Sequence, residues 1–440
     1  MKIKYQQKFH SVGQGLFYSS SLSSTANNLS INIIFDCGSE NVKQIDDQVY
    51  AYNNTIIDVL TISHLHYDHV SGLESLLRKN KVNTVILPYL FPEERLLFMM
   101  CNSKRPKWYL DFLNNPYSYL VNKGNVEKVV IINGDDENSD YSINMPELHQ
   151  INENEISEKK IDIYLERESD NTKEDVGKRE DIKFGDKLHL YKDKGYVLIS
   201  NVFLSFFYYK IKPLKIDAFK KEISNIKIDD LLSRLKENDS RELIKNAYKI
   251  ISSDLNCTSL SAYQGLILQN NKHRHYCIID GSEFLPNIFF DDMFCRMVAD
   301  FSDLHFHVEH RKDCENKIYC RRICECCYSS YCSKVLGTLL LGDIKLDYKD
   351  KKQKELFTHF KNLLPSVKWI QLSHHGADNG WNDNLIDSIS KNSIYLSSHG
   401  EKNRYQHPHK KVLLKLAEKN RKYISVTEKK DYNCEFSFDI

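Results

Sequence analysis

The chain has 440 residues, enough for two or three domains, with 61 basic and 60 acidic side chains. No global field marks it as a binder of nucleic acid or of a charged membrane. No apolar run reaches the roughly 18 residues of a membrane span, and the N-terminus lacks an apolar core of signal-peptide length. Twelve cysteines without a secretion signal point to reduced thiols or metal ligands, so a soluble cytoplasmic protein is expected.

Residues 1–90 alternate strand-like and turn-like segments, which suits a layered α/β architecture. Residues 58–63 are apolar and β-branched and read as a buried strand. That strand delivers His64, His66, Asp68 and His69 to one point at its end. Imidazole and carboxylate together suit zinc, manganese or iron. Crowding such groups without a metal is costly, and a solvated histidine-rich loop needs no buried strand leading into it. Gly72 lets the chain turn, residues 73–79 read as a short helix, and residues 82–88 as the next strand.

Residues 93–120 read as mixed helix, broken at Pro106 and Pro116. Residues 134–182 are dense in charge and read as surface loops or partly disordered insertions. Residues 196–209 read as one or two strands, and residues 214–254 as a helical insertion with apolar side chains at three- and four-residue steps. Residues 256–269 restore strand character, with residues 276–281 as the expected hairpin partner.

Cys314, Cys320, Cys324, Cys326, Cys327 and Cys332 fall within nineteen residues, interleaved with Arg311, Lys312, Lys317, Arg321, Arg322 and Lys334. His305, His307 and His310 lie just upstream. Thiolates at that density suit a structural zinc site, with Cys320, Cys324, Cys327 and Cys332 as the favoured set and a histidine able to replace one thiol. Free thiols in a charged, solvated insertion are the alternative.

The HLHYDH run resembles the HxHxDH signature of the metallo-β-lactamase fold. Other segments match in that family's order. Val12-Gly13-Gln14-Gly15 and Asp36-Cys37-Gly38 look like its VGQG and DxG elements, and Leu341-Gly342-Asp343 like the strand end carrying the bridging aspartate. His374-His375-Gly376 looks like the HHG element, and Asn403-Arg404-Tyr405-Gln406-His407-Pro408 like the NxYxHP element. Together these are similar to the branch holding the nuclease-like domain of the competence protein ComEC and the phosphorylcholine esterases. The resemblance covers residues 1–90 and about 255–440, with gaps. It implies an α/β, metallo-β-lactamase-like αββα sandwich with a helical and a cysteine-rich insertion. Residues 1–133 would form the first half of the core, 134–254 a charged and helical insertion, and 255–281 core strands. Residues 282–333 would be the cysteine-rich insertion and 334–440 the second half of the core.

The same resemblance implies two divalent ions, zinc or manganese, about 3.5–4 Å apart and sharing one carboxylate. His64 and His66 would hold the first, Asp68 and His69 the second, and Asp343 would bridge. His374 or His375 would complete the first set and His407 the second. Neighbours on a strand point to opposite sides, so one of the histidine pair should face the metals; His374 is preferred, with His375 ordering the surroundings or holding substrate. A histidine that most members carry between the first motif and the bridging aspartate has no clear counterpart, since His149 and His189 sit in polar insertions. Asp68, Asp343 and His375 are the candidates for the reaction itself, and His399, Asn403 and Arg404 for substrate contact. Arg404 is preferred because a guanidinium pairs two phosphate oxygens.

The expected function is that of a metal-dependent hydrolase using a dinuclear metal-bound hydroxide, foremost a phosphodiesterase or nuclease acting on nucleic acid or another phosphodiester. Hydrolysis of another ester, amide or lactam is the alternative, as is a non-catalytic, metal-binding regulatory subunit. How open and how basic the cleft is beside His64 and Asp343 separates a polymer from a small substrate.

Overall fold

The structure, a computed structural model, describes residues 2–24, 29–124, 126–134, 161–199, 202–210, 245, 258–267, 275–278, 308–312, 318–322, 335–347 and 351–439. The first part runs β1 (Lys2–Phe9), β2 (Phe17–Ser24), β3 (Ser30–Cys37), α1 (Val42–Tyr50), β4 (Ile56–Thr61), α2 (Tyr67–Val70), α3 (Leu73–Lys79) and β5 (Lys81–Pro88). Then come α4 (Pro92–Cys101), α5 (Lys107–Asn114), α6 (Pro116–Asn122), β6 (Lys128–Ile132), β7 (Ile161–Arg167), α7 (Asp170–Glu180), β8 (Leu188–Ile199) and β9 (Val202–Tyr209). The second part holds β10 (Ser259–Ile267), β11 (His275–Ile278), β12 (Val308–Lys312), β13 (Ile318–Arg322), β14 (Val335–Leu340), α8 (Lys351–Phe360) and β15 (Val367–Gln371). It ends with α9 (Asp383–Ser388), β16 (Ile394–Ser398), α10 (Lys410–Glu418), β17 (Lys422–Val426) and β18 (Tyr432–Asp439).

The prolines at 106 and 116 do separate helices, but by starting them. Pro106 is the N-cap of α5 and Pro116 opens α6, where a missing N–H costs nothing. Part of the expected loop region is ordered structure: β7 pairs with β8, and α7 is capped by Ser169, whose side chain accepts from the Thr172 N–H. A buried ion pair explains why so charged a segment folds. Arg95 of α4 forks onto Glu180 of α7 at 3.0 and 2.6 Å and donates to the carbonyls of Leu90, Leu113 and Asn114. Among the described residues, the expected pairing of residues 276–281 with 256–269 is not formed. β10 pairs with β9 and β14, whereas β11 pairs with β13 and β18. The helical insertion at 214–254 lies outside the described residues apart from Lys245.

The sandwich expectation is corrected. The strands make one mixed sheet, not two packed layers, and a path of 14 strands nearly closes it into a barrel. The path is β18–β1–β2–β3–β4–β5–β6–β8–β9–β10–β14–β15–β16–β17, and its two ends, β17 and β18, are neighbours in sequence. Strands β3 to β6 and β8 form one parallel run, and β14 to β17 another. Antiparallel strands β9 and β10 join the two runs on one side, while β2, β1 and β18 extend the first run from β3 on the other, so the edge between β8 and β14 that two separate sheets would leave open is hydrogen-bonded instead. Motif order cannot foresee this, because it fixes where side chains arrive and not which backbones pair.

An interior core fills the curl, with Tyr5, Phe35, Val59, Phe206, Leu396 and Val426 among its buried members. Among the described residues the helices are short, at most eleven residues, and pack outside. Those between β3 and β6 bury Leu76, Leu97, Phe112 and Leu120 against one parallel run. Helices α8 to α10 bury Leu356, Leu385 and Leu416 against the other. Among the described residues, no helix is long and apolar enough to cross a membrane. Crossover helices leave the carboxyl ends of both parallel runs free, which is where α/β sheets bind ligands.

Candidate metal centre

At that rim the chain after β4 carries His64 and His66, and α2 carries Asp68 and His69. Asp343 follows β14, and His374 and His375 follow β15. Two glycines seat the loop. A Cβ on Gly15 would come within 2.5 Å of the Asp68 carbonyl oxygen, and one on Gly38 within 2.4 Å of the same atom. The VGQG and DCG segments therefore close on the backbone of the ligand loop, which no larger residue permits.

Two groups of ligand-type residues form, His64–His66–Asp343 and Asp68–His69–His375, with the ligand atoms of each group all within 4.8 Å of one another. Asp343 lies between them. Its Oδ2 is 3.5 Å from His64 Nε2 and 3.9 Å from His374 Nε2, while its Oδ1 is 3.4 Å from His69 Nε2 and 4.0 Å from His375 Nε2. His375 Nε2 is 3.3 Å from Asp68 Oδ2. Both histidines of the pair thus face the centre, on opposite sides of Asp343, contrary to the expectation of one. The reason is local: His374 and His375 have φ of 51° and 56°, so they form a tight turn beyond the strand, and strand alternation does not apply. His407 stands off. Its ring centroid is 5.5 Å from that of His374 and 6.0 Å from that of His375, and it belongs to neither group.

The far side of three of the rings is held. His69 Nδ1 meets Asp36 Oδ2 at 2.8 Å, His64 Nδ1 meets Ser63 Oγ at 2.9 Å, and His375 Nδ1 meets the Ser398 carbonyl at 2.8 Å. Asp36 is fully buried and also accepts from Ser63 N and Oγ, at 2.7 and 2.6 Å. In the sequence Asp36 stands only as a letter of the DxG element. Its signal was a lone carboxylate closing an apolar strand, which must have a partner. Anchored this way, the rings aim their other nitrogens inward. His64 Nε2, His69 Nε2, His375 Nε2 and Asp343 Oδ1 are buried without a hydrogen-bond partner. Convergent orphaned imidazole nitrogens and carboxylate oxygens are the donor set of zinc or manganese, so these residues fit a pair of divalent ions.

The electrostatics agree. Burial pushes the His69 imidazole down, but Asp343 and then Asp36 outweigh it and hold it well above its ordinary value. Burial pushes the Asp343 carboxyl up, yet His69, His374, His375 and His64 together hold it well below the usual range. His66 and His407 are pushed down to about 3, by burial first and by neighbouring imidazoles next.

A cavity of about 750 Å³ opens over the centre, with Lys104, Arg105, Arg404 and Tyr405 among its lining residues. Arg105 is held by Glu40 at 2.8 and 3.0 Å and lies over the Tyr67 ring, 4.1 Å from its centroid. Arg404 lies over Tyr405, 4.7 Å from the ring centroid. Two expected substrate contacts are placed elsewhere. Asn403 spends its amide on the Gly400 and His407 carbonyls and the His407 N–H, shaping the loop that carries Arg404. His399 is buried against Ser425, 2.7 Å away, and does not line the cavity.

Of the tentative zinc set, Cys324, Cys327 and Cys332 lie outside the described residues, as do Cys314, Cys326, His305 and His307. Cys320 is in β13 and His310 in β12. No curated protein matches the chain. Comparison with family models corrects the resemblance to the metallo-β-lactamase family and its ComEC branch, because a different family is matched. What the chain is similar to, over residues 14–103, is the family of the Anti-Pycsar protein Apyc1, a stretch that carries Gly15, Asp36 and the whole His64–His69 run.

Proposed function

We propose that the chain is a metal-dependent phosphodiesterase. The observation that carries this reading is the pair of ligand groups sharing Asp343, with buried, partnerless donor atoms turned inward. His64, His66 and His374 would hold one divalent ion, Asp68, His69 and His375 the other, and Asp343 both. Such a pair supplies an acidified water and neutralises phosphate oxygens. Asp343 would orient the attacking water and share in moving its proton. Arg404 and Arg105, both lining the cavity, suit the charge of a phosphodiester better than a neutral ester, amide or lactam.

The cavity volume falls in the range of small-molecule sites, roughly 300–1,000 Å³, which favours a small phosphodiester over a polynucleotide. The name of the matched family suggests the setting for such an activity, opposition to Pycsar. The test is turnover by the purified chain, loaded with zinc or manganese, on small phosphodiesters, single- and double-stranded nucleic acids, carboxylic esters, amides and lactams. Turnover of small phosphodiesters that disappears in Asp343→Ala supports the reading. Preference for a carboxylic ester, amide or lactam, or no turnover with either metal, would overturn it.

A further inference from the structure

The two ligand groups differ in what stands behind them. Both histidines of the Asp68–His69–His375 group are anchored: Asp36 meets His69 Nδ1 and the Ser398 carbonyl meets His375 Nδ1, each at 2.8 Å. Asp68 is anchored through its backbone, where its carbonyl oxygen accepts from the Leu16 N–H at 3.3 Å. In the other group His64 has a partner of this kind, the neutral Ser63 hydroxyl. His66 makes no ring hydrogen bond among the described residues; its ring leans on His64 and Phe98, with centroids 4.6 and 4.9 Å away. His374 joins this group because its Nε2 faces the same Asp343 oxygen as His64 does. Its Nδ1 is buried without a partner, and its side chain is 23% exposed, against 2% for that of His375. Charge separates the groups as well. The first has Asp68 as a carboxylate of its own and Asp36 behind His69, whereas the second has only its share of Asp343.

We propose that the two positions bind metal unequally, with a resident ion at Asp68, His69 and His375 and an exchangeable ion at His64, His66 and His374. The inference rests on the dinuclear reading above and assigns its regulation: occupancy of the second position, and turnover with it, follows the free metal concentration. The physical reason is the far nitrogen of each ring. A hydrogen bond there fixes the tautomer and the ring's orientation and makes the other nitrogen a better donor, and removing one such partner costs about 10- to 100-fold in metal affinity. The resident position has two of these partners for two rings, one of them a carboxylate. The exchangeable position has one hydroxyl for three rings. Its lack of a carboxylate of its own lowers the Coulombic attraction for a divalent ion further. A difference of one partner alone sets the two dissociation constants at least about tenfold apart.

The test is a zinc titration of the full chain, stripped with a chelator and then loaded in competition with a chromophoric chelator. Two steps about tenfold or more apart are expected in the parent. X-ray absorption at one equivalent of zinc reads which position fills first and needs no variant. Two imidazoles with oxygen ligands mark the resident position, and three imidazoles mark the exchangeable one. His66→Ala should keep the tight step and weaken the other, whereas Asp68→Asn should lose the tight step, with circular dichroism checking the fold of both. Turnover of a small phosphodiester should rise with the second step. Two equal steps, three imidazoles at one equivalent, or turnover complete at one equivalent would overturn the ordering while leaving a metal-dependent phosphodiesterase in place. A parent that binds no zinc would overturn both readings together.

Discussion

Replacing Asp36 with Asn isolates the carboxylate behind the proposed metal centre. The backbone there has φ of 55°, which Asn tolerates as Asp does, so the change is electronic and not conformational. In the parent, Asp36 Oδ2 fixes the proton of His69 on Nδ1 at 2.8 Å, leaving Nε2, 3.4 Å from Asp343, as the donor atom for a metal. An amide nitrogen in the place of Oδ2 would donate to Nδ1 and drive the proton to Nε2, the wrong tautomer for ligation. The opposite amide orientation keeps an acceptor for His69 but sets a donor against the Ser63 N–H, which sits 2.7 Å from Oδ1. Either way the second carboxylate oxygen is lost. Removing a partner of this kind costs about 10- to 100-fold in metal affinity, or about 1.4–2.8 kcal/mol. Zinc affinity is read by chelator competition at fixed pH, with turnover of a small phosphodiester at saturating metal alongside. An Asp36→Asn chain whose affinity lies within twofold of the parent would refute the argument that this carboxylate sets the tautomer of His69.

Asp343→Ala should lower bound metal and cut turnover about a thousandfold, the scale of several kcal/mol of charge stabilisation, with circular dichroism unchanged; full activity would exclude a bridging role. Arg95→Met should lower the free energy of unfolding by about 3–5 kcal/mol in a urea titration, because it strands the buried Glu180 carboxylate. A loss below 1 kcal/mol would mean that α7 is not tied through this pair. Acid should destabilise the fold through His10 and His359, both pushed down to about 3, by burial first and then by Lys8 and Lys194 respectively. The folded forms stay neutral while the unfolded chain takes up protons below its ordinary 6.5, so stability falls as pH drops from about 6.5 toward 3, by about 1.4 kcal/mol per unit for each histidine. Urea midpoints measured from pH 7 to 5 should show that slope, and His359→Gln should flatten it; an unchanged acid limb would contradict the assignment.

The gathering of donor-type side chains at one rim was legible because residue types and spacing repeat within a few positions. A buried strand ending in four donors announces its use, and Gly342-Asp343 after an apolar strand does the same. Short elements with strong local signals, such as α3, were legible for a similar reason, since three- and four-residue periodicity is a local property. Four things were decided only in three dimensions. The sheet nearly closes because β9 and β10 bond the two parallel runs together while β2, β1 and β18 extend the first run from its other edge, and backbone donors carry no residue-type signature. His374 and His375 both face the centre because positive φ at two successive residues overrides strand alternation. Helix α7 orders within a charged segment because Glu180 finds Arg95, 85 positions away. Strands β11, β13 and β12 pair in series, so that in register Cys277 stands opposite Cys320 and Cys320 opposite His310. Each depends on groups brought together by packing over long sequence separations, where the amino-acid pattern around either partner says nothing of the other.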